Sequence, residues 1–177
     1  WGLVKPFAIG GGSRFRPDVK LASFGTREYE QQARALVLYS GLLTDHQKMV
    51  TEYWADGPSS ETPPGHWCLL AQDVSHRDQN TIDQDVKMFF ALANALFDAS
   101  IAAWDAKRAY DYVRPISAVR HLYRGKLVSV WGGPAHGTER QDGANWQPYQ
   151  ATTFVTPPFP EYVSGHSTFS AAAAEVL

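Results

Sequence analysis

Apolar residues return at helical spacing through most of this chain. Between residues 26 and 43, Tyr29, Ala33, Leu36 and Val37 fall on one side and Glu28, Glu30, Gln31 and Arg34 elsewhere, which predicts an amphipathic helix. Thr44 with Gln47 three positions later forms a capping box and predicts a second helix, running to about residue 54. Residues 57–65, with Pro58, Pro63 and Pro64, read as a loop before a short amphipathic piece at 66–74. Thr81 caps the longest helix, expected from residue 82 to about 110, with Asp83 and Asp85 in the first turn where the macrodipole favours anions. Ile82, Val86, Phe89, Phe90, Ala93, Leu96, Phe97, Ile101 and Trp104 cover more than one of its faces, so it is expected to be central and buried, and Pro115 stops it.

Residues 1–25 carry Gly10-Gly11-Gly12 and Arg16-Pro17 with little periodicity and read as loop. Residues 123–160 are rich in Gly and Pro, with a candidate β ribbon at 126–131, and a final helix begins near Ser164. No repeat, heptad or strong βαβ alternation is present. The expected fold is therefore all-α, a helical bundle in one partial domain over 1–177, with a loop-rich segment at 1–25 and a helical core at 26–177. The run from Phe169 to Leu177 is helix-forming and carries no stop signal, which reads as a domain interrupted at its C-terminus.

Composition narrows the function classes. A 177-residue chain with 44% hydrophobic and 13% aromatic residues and a formal net charge of −2 is not a disordered segment. That balance also lacks the basic excess of a non-specific nucleic-acid binder, while leaving open small anions held by a few local cations. The single cysteine, Cys68, excludes an internal disulfide and a multi-cysteine metal site. Asn94, Asp98 and Ser100 interrupt the most apolar stretch, 88–104, which falls short of the ~20 residues of a membrane span.

Two clusters carry candidate chemistry. Lys107 near the end of the long helix is followed by Arg114-Pro115, a Lys-x6-Arg-Pro pattern. The proline biases Arg114 out of the α region, so both cations can turn toward one oxyanion. The alternative is a solvated helix face, since Lys107 and Asp111 stand at i,i+4 and Asp105 and Arg108 at i,i+3. The second cluster, Ser164-Gly165-His166, opens the last helix behind the rigid lead Thr156-Pro157-Pro158-Phe159-Pro160-Glu161-Tyr162. A helix N-terminus offers unsatisfied N–H groups and partial positive charge, Ser164 a hydroxyl, Gly165 close backbone approach, and His166 proton exchange near neutrality. The alternative there is an ordinary N-cap beside an exposed first-turn histidine.

Together, and in this order, the two motifs resemble those of the vanadium-dependent haloperoxidase and type 2 phosphatidic acid phosphatase (PAP2) superfamily, whose motifs are Lys-x6-Arg-Pro and Pro-Ser-Gly-His. The soluble haloperoxidase-like branch is the more similar, through Ala102-Ala103-Trp104-Asp105-Ala106-Lys107, Pro63-Pro64-Gly65-His66-Trp67 and residues 157–170. Val163 stands where many relatives have proline.

The resemblance implies that Lys107, Arg114, Ser164 and Gly165 bind vanadate or phosphate and that His166 is the catalytic acid–base residue. It implies vanadate as cofactor, with no haem or flavin, and peroxide and halide, or a phosphate ester, as small-molecule substrates. No nucleic acid and no membrane span are expected. The family's third motif, an arginine and then the histidine that ligates vanadium, would lie beyond Leu177, so this chain by itself is expected to hold no metal ligand and to be inactive. None of His46, His66, His76, His121 or His136 stands in a matching context. A soluble acid phosphatase and a non-catalytic helical module with a vestigial site are the other readings. Trp104, Trp146, Phe154 and Phe159 are candidates for lining the pocket or for packing in the core.

Overall fold

The computed structural model describes residues 3–177; residues 1 and 2, the start of the predicted N-terminal loop, lie outside the described residues. Among the described residues are six α-helices, α1 (Arg27–Gly41), α2 (Asp45–Tyr53), α3 (Thr62–Asp78), α4 (Ile82–Tyr110), α5 (Pro115–Leu122) and α6 (Gly165–Val176), and one antiparallel hairpin of β1 (Leu127–Trp131) and β2 (Thr138–Asp142). The chain divides into two compact units. One comprises residues up to Asp18, Asp56–Tyr112 and Pro160–Leu177, and the other Val19–Ala55 and Val113–Phe159.

In the first unit α3, α4 and α6 pack around Ala71, Leu92, Leu96, Phe169 and Ala173. Thr81 caps α4 by accepting from Gln84 N, while the Gln84 side chain returns to Thr81 N, closing the box. The N-terminal segment is not a free loop. Its 3₁₀ turn, Gly12–Phe15, lies against α4 so closely that a Cβ on Gly12 would come within 2.9 Å of Asp105 Cβ. Asp98 accepts from the N–H groups of Phe7, Ala8 and Ile9 at 2.6, 2.7 and 3.0 Å. Burial pushes the Asp98 carboxyl up, but the three N–H donors outweigh it and hold the group below the usual carboxylate range. Arg16 forms a two-bond pair with Asp105, at 2.5 and 2.9 Å, and the Tyr110 hydroxyl donates to the Pro17 carbonyl.

Burial of α4 departs from the expectation. Its second half is buried, but Ile82, Val86, Phe90 and Phe97 are exposed at 85, 65, 58 and 41%. Helices α3 and α6 cover only part of its circumference there, so a helix apolar on several faces keeps one face open. By length and composition alone the run Ile82–Leu122 includes a stretch apolar enough to cross a membrane, longer than the sequence reading allowed. The charges that interrupt it, Asp98, Asp105 and Lys107, are buried against protein partners.

The second unit is built on Ala33, Val37, Val119, Val128, Val130 and Trp146, contributed by α1, α5, β1 and the segment after β2. Gly41 ends α1 where a Cβ would stand 2.5 Å from the Ser129 carbonyl oxygen, and Ser40 Oγ accepts from Trp131 N, so helix and hairpin meet backbone to backbone. Two elements were misread from sequence. Helix α3 begins at Thr62, not residue 66, because Pro63 and Pro64 occupy first-turn positions where no intrahelical N–H is needed. Pro115 ends one helix and also opens another, with Arg114 as the extended N-cap of α5.

Candidate functional site

Lys107 lies in the last turn of α4 and is only 4% exposed. Its ammonium donates to the carbonyl oxygens of Pro160 and Glu161 at 3.0 and 2.5 Å. It therefore grips the lead into α6, and the i,i+4 pairing with Asp111 does not form. Asp105 likewise takes Arg16 as its partner in place of Arg108. One turn before Lys107, the Trp104 ring faces α6: a Cβ on Gly165 would meet it at 3.4 Å, and Trp104 and Phe169 pack with ring centroids 6.4 Å apart. The end of α4 thus meets the start of α6 through an ammonium–carbonyl grip and an indole ring.

At that start, Ser164 is the N-cap and its hydroxyl oxygen accepts from Ser167 N at 3.2 Å, leaving its own O–H to donate. The N–H groups of Gly165 and His166 are first-turn donors with no partner among the described residues. His166 is exposed, and its ring makes no hydrogen bond among the described residues. Lys107, Ser164, Gly165 and His166 all belong to the first unit. Arg114 belongs to the second, where its guanidinium lies over the Phe159 ring at 5.0 Å.

The remaining histidines have local partners or positions. His66 Nδ1 is 2.9 Å from Asp56 Oδ1, with side chains only 13% and 7% exposed, and His136 Nδ1 is 2.8 Å from Glu139 Oε1. His121 packs edge-on against Phe24, His46 lies in the first turn of α2, and His76 in the last turn of α3. No group of three His, Cys, Asp or Glu side chains among the described residues could hold a metal ion. A cleft of about 130 Å³ in the second unit, lined by Trp131, Gln141, Asn145, Gln147, Gln150 and Phe154 among others, includes none of the predicted oxyanion ligands. Trp146 is core there, 4% exposed.

Sequence reasoning missed the parts that support these residues: Asp98, the Arg16–Asp105 pair, and the carbonyls of Pro160 and Glu161. Asp98 and Asp105 did carry a signal, being carboxylates within the most apolar helix, where an unpaired charge would be costly.

Residues 87–177 match the family model for the VCPO second helical-bundle domain, and the chain belongs to that family. Over 91% of its length it is 27% identical to the vanadium chloroperoxidase of Curvularia inaequalis, and it spans 28% of that protein. It is similar, at a TM-score of 0.79 and 27% identity over 97% of its length, to an apo bacterial vanadium-dependent chloroperoxidase, of which it covers 36%. A bacterial vanadium-dependent iodoperoxidase shares the fold, with a TM-score of 0.79 at 22% identity over all of this chain and 40% of that one. The architecture is thus that of the vanadium haloperoxidase helical bundle, mostly helical with one two-stranded hairpin among the described residues.

Proposed function

We propose that this chain forms the anion-binding and proton-transfer side of a vanadium-dependent haloperoxidase site. The observation that carries the reading is the tip of α6, where the Gly165 and His166 N–H groups have no partner among the described residues and stand beside the Ser164 hydroxyl. Helix termini of this kind favour oxyanions, and donors fixed in advance stabilise developing negative charge without reorganisation. Vanadate suits this donor set, which consists of two amides, a hydroxyl and the nearby buried ammonium of Lys107 held to the α6 lead. Bound vanadate supplies the Lewis acidity that activates peroxide toward halide.

The residues divide the remaining work. Ser164 and the Gly165 and His166 amides hold anion oxygens. Lys107 contributes positive charge and keeps the lead segment in place through Pro160 and Glu161. Arg114, the N-cap of α5, is the second cation of the Lys-x6-Arg-Pro motif, and a guanidinium gives an oxyanion charge-assisted hydrogen bonds worth on the order of 1.5–3 kcal/mol each. The exposed imidazole of His166 moves the proton.

The test is oxidation of bromide by peroxide in the complete protein, with and without added vanadate, beside hydrolysis of a phosphate monoester. Vanadate-dependent bromide oxidation that His166→Ala abolishes without unfolding supports the proposal. Monoester hydrolysis with no bromide oxidation assigns the site to an acid phosphatase, and absence of both activities leaves a non-catalytic module.

A further inference from the structure

The motif Pro63-Pro64-Gly65-His66-Trp67 contributes no ligand to the proposed anion site, yet it reaches the same helix. Trp67 Nε1 on α3 donates to Ser170 Oγ on α6 at 3.2 Å. Among the described residues this is the one hydrogen bond that ties an α6 side chain to another element. Along the body of α6, Phe169 and Ala173 pack against Leu92 and Leu96 through apolar, non-directional contacts, while Lys107 grips only the lead before the helix, at Pro160 and Glu161. Such packing sets the depth of a helix better than its rotation. Ser170 stands four residues after His166, one turn along the same face, so fixing Ser170 fixes the direction in which the first turn presents its groups. The donor is itself held firmly, since its neighbour His66 is paired with Asp56 in a nearly buried site and two prolines stiffen the first turn of α3.

We infer that Trp67 and Ser170 are positioning residues that set the rotation of α6, and hence the alignment of the Gly165 and His166 donors on a bound oxyanion. The inference rests on the oxyanion reading of the α6 tip. It is tested by titrating the complete protein with inorganic phosphate and following the Gly165 and His166 amide resonances.

The wild-type protein is expected to show saturable shifts at both amides. Ser170→Ala and Trp67→Phe should each weaken phosphate about fivefold, the effect of one lost neutral hydrogen bond. The double variant should be no weaker than the worse single one, because both remove the same bond. Ser170→Thr, which keeps the hydroxyl, should bind within about twofold of wild type. Unchanged affinity in Ser170→Ala, or losses that multiply in the double variant, would overturn the brace while leaving the anion site standing. If Trp67→Phe does not fold, Ser170→Ala against Ser170→Thr decides. No response of the wild-type amides to phosphate overturns the oxyanion reading itself and the brace with it.

Discussion

The two halves of α4 invert the usual relation between polarity and burial. The first half exposes Ile82, Val86, Phe90 and Phe97, whereas the second buries Asp98, Asp105 and Lys107 at 6, 8 and 4% exposure. The difference lies in the available partners. Along the second half run the N-terminal segment and the lead into α6, which bring backbone N–H groups to Asp98, a guanidinium to Asp105 and carbonyls to Lys107. Each buried charge thus has directional partners that offset its desolvation. Along the first half, α3 and α6 cover part of the circumference and one apolar face meets solvent, apart from Phe7 edge-on to Phe90 at 5.4 Å. Burial here records which segments lie alongside the helix, and hydrophobicity is only one of the reasons a segment lies there.

Substitutions along α4 can break that contrast. Lys107→Met should have the largest effect, about 3 kcal/mol in urea unfolding, because two carbonyls lose their donor in a buried place. A loss under 1 kcal/mol would mean that water replaces the ammonium easily. Asp98→Asn should cost about 2 kcal/mol, since a neutral amide oxygen accepts N–H bonds more weakly than a carboxylate. The Phe7, Ala8 and Ile9 amides should then exchange with solvent faster. The Asp98 carboxyl titrates lower in the folded protein than its unfolded value of about 3.9, so its contribution is fully present above that pH and is lost as pH falls through the folded value. In Asp98→Asn this part of the acid sensitivity should be missing from the unfolding profile. Thr81→Ala removes the cap of the exposed half and should cost about 1 kcal/mol. Val86→Ser, on the open face, should stay within about 0.5 kcal/mol; a larger loss in the complete protein would show that this face is covered there.

Elements with local chemistry were legible. The Thr44–Gln47 and Thr81–Gln84 boxes both close as read, and α6 starts where Ser164 predicts. Elements whose logic is non-local were not. Strand β2, Thr-Glu-Arg-Gln-Asp, has no apolar alternation and exists through its pairing with β1. Helix α5 was hidden by a proline that serves equally as a stop and as a first-turn residue. At the candidate site, the motif residues could be named from sequence, but Lys107 spends two donors on the backbone of Pro160 and Glu161, a use that no spacing rule reveals.

The sequence by itself determined the helical class, the capping of the main helices and the two motifs that carry the resemblance to the haloperoxidase family. Each depends on residues within a few positions of one another, where backbone propensity and side-chain reach act. Tertiary structure alone decided which charges of α4 are buried, which of its apolar residues are open, and which helix Trp67 holds. Those outcomes depend on partners 53 to 103 residues away in the chain, as in Lys107 with Pro160 and Trp67 with Ser170, and local pattern carries no information about which distant segment will supply the matching donor.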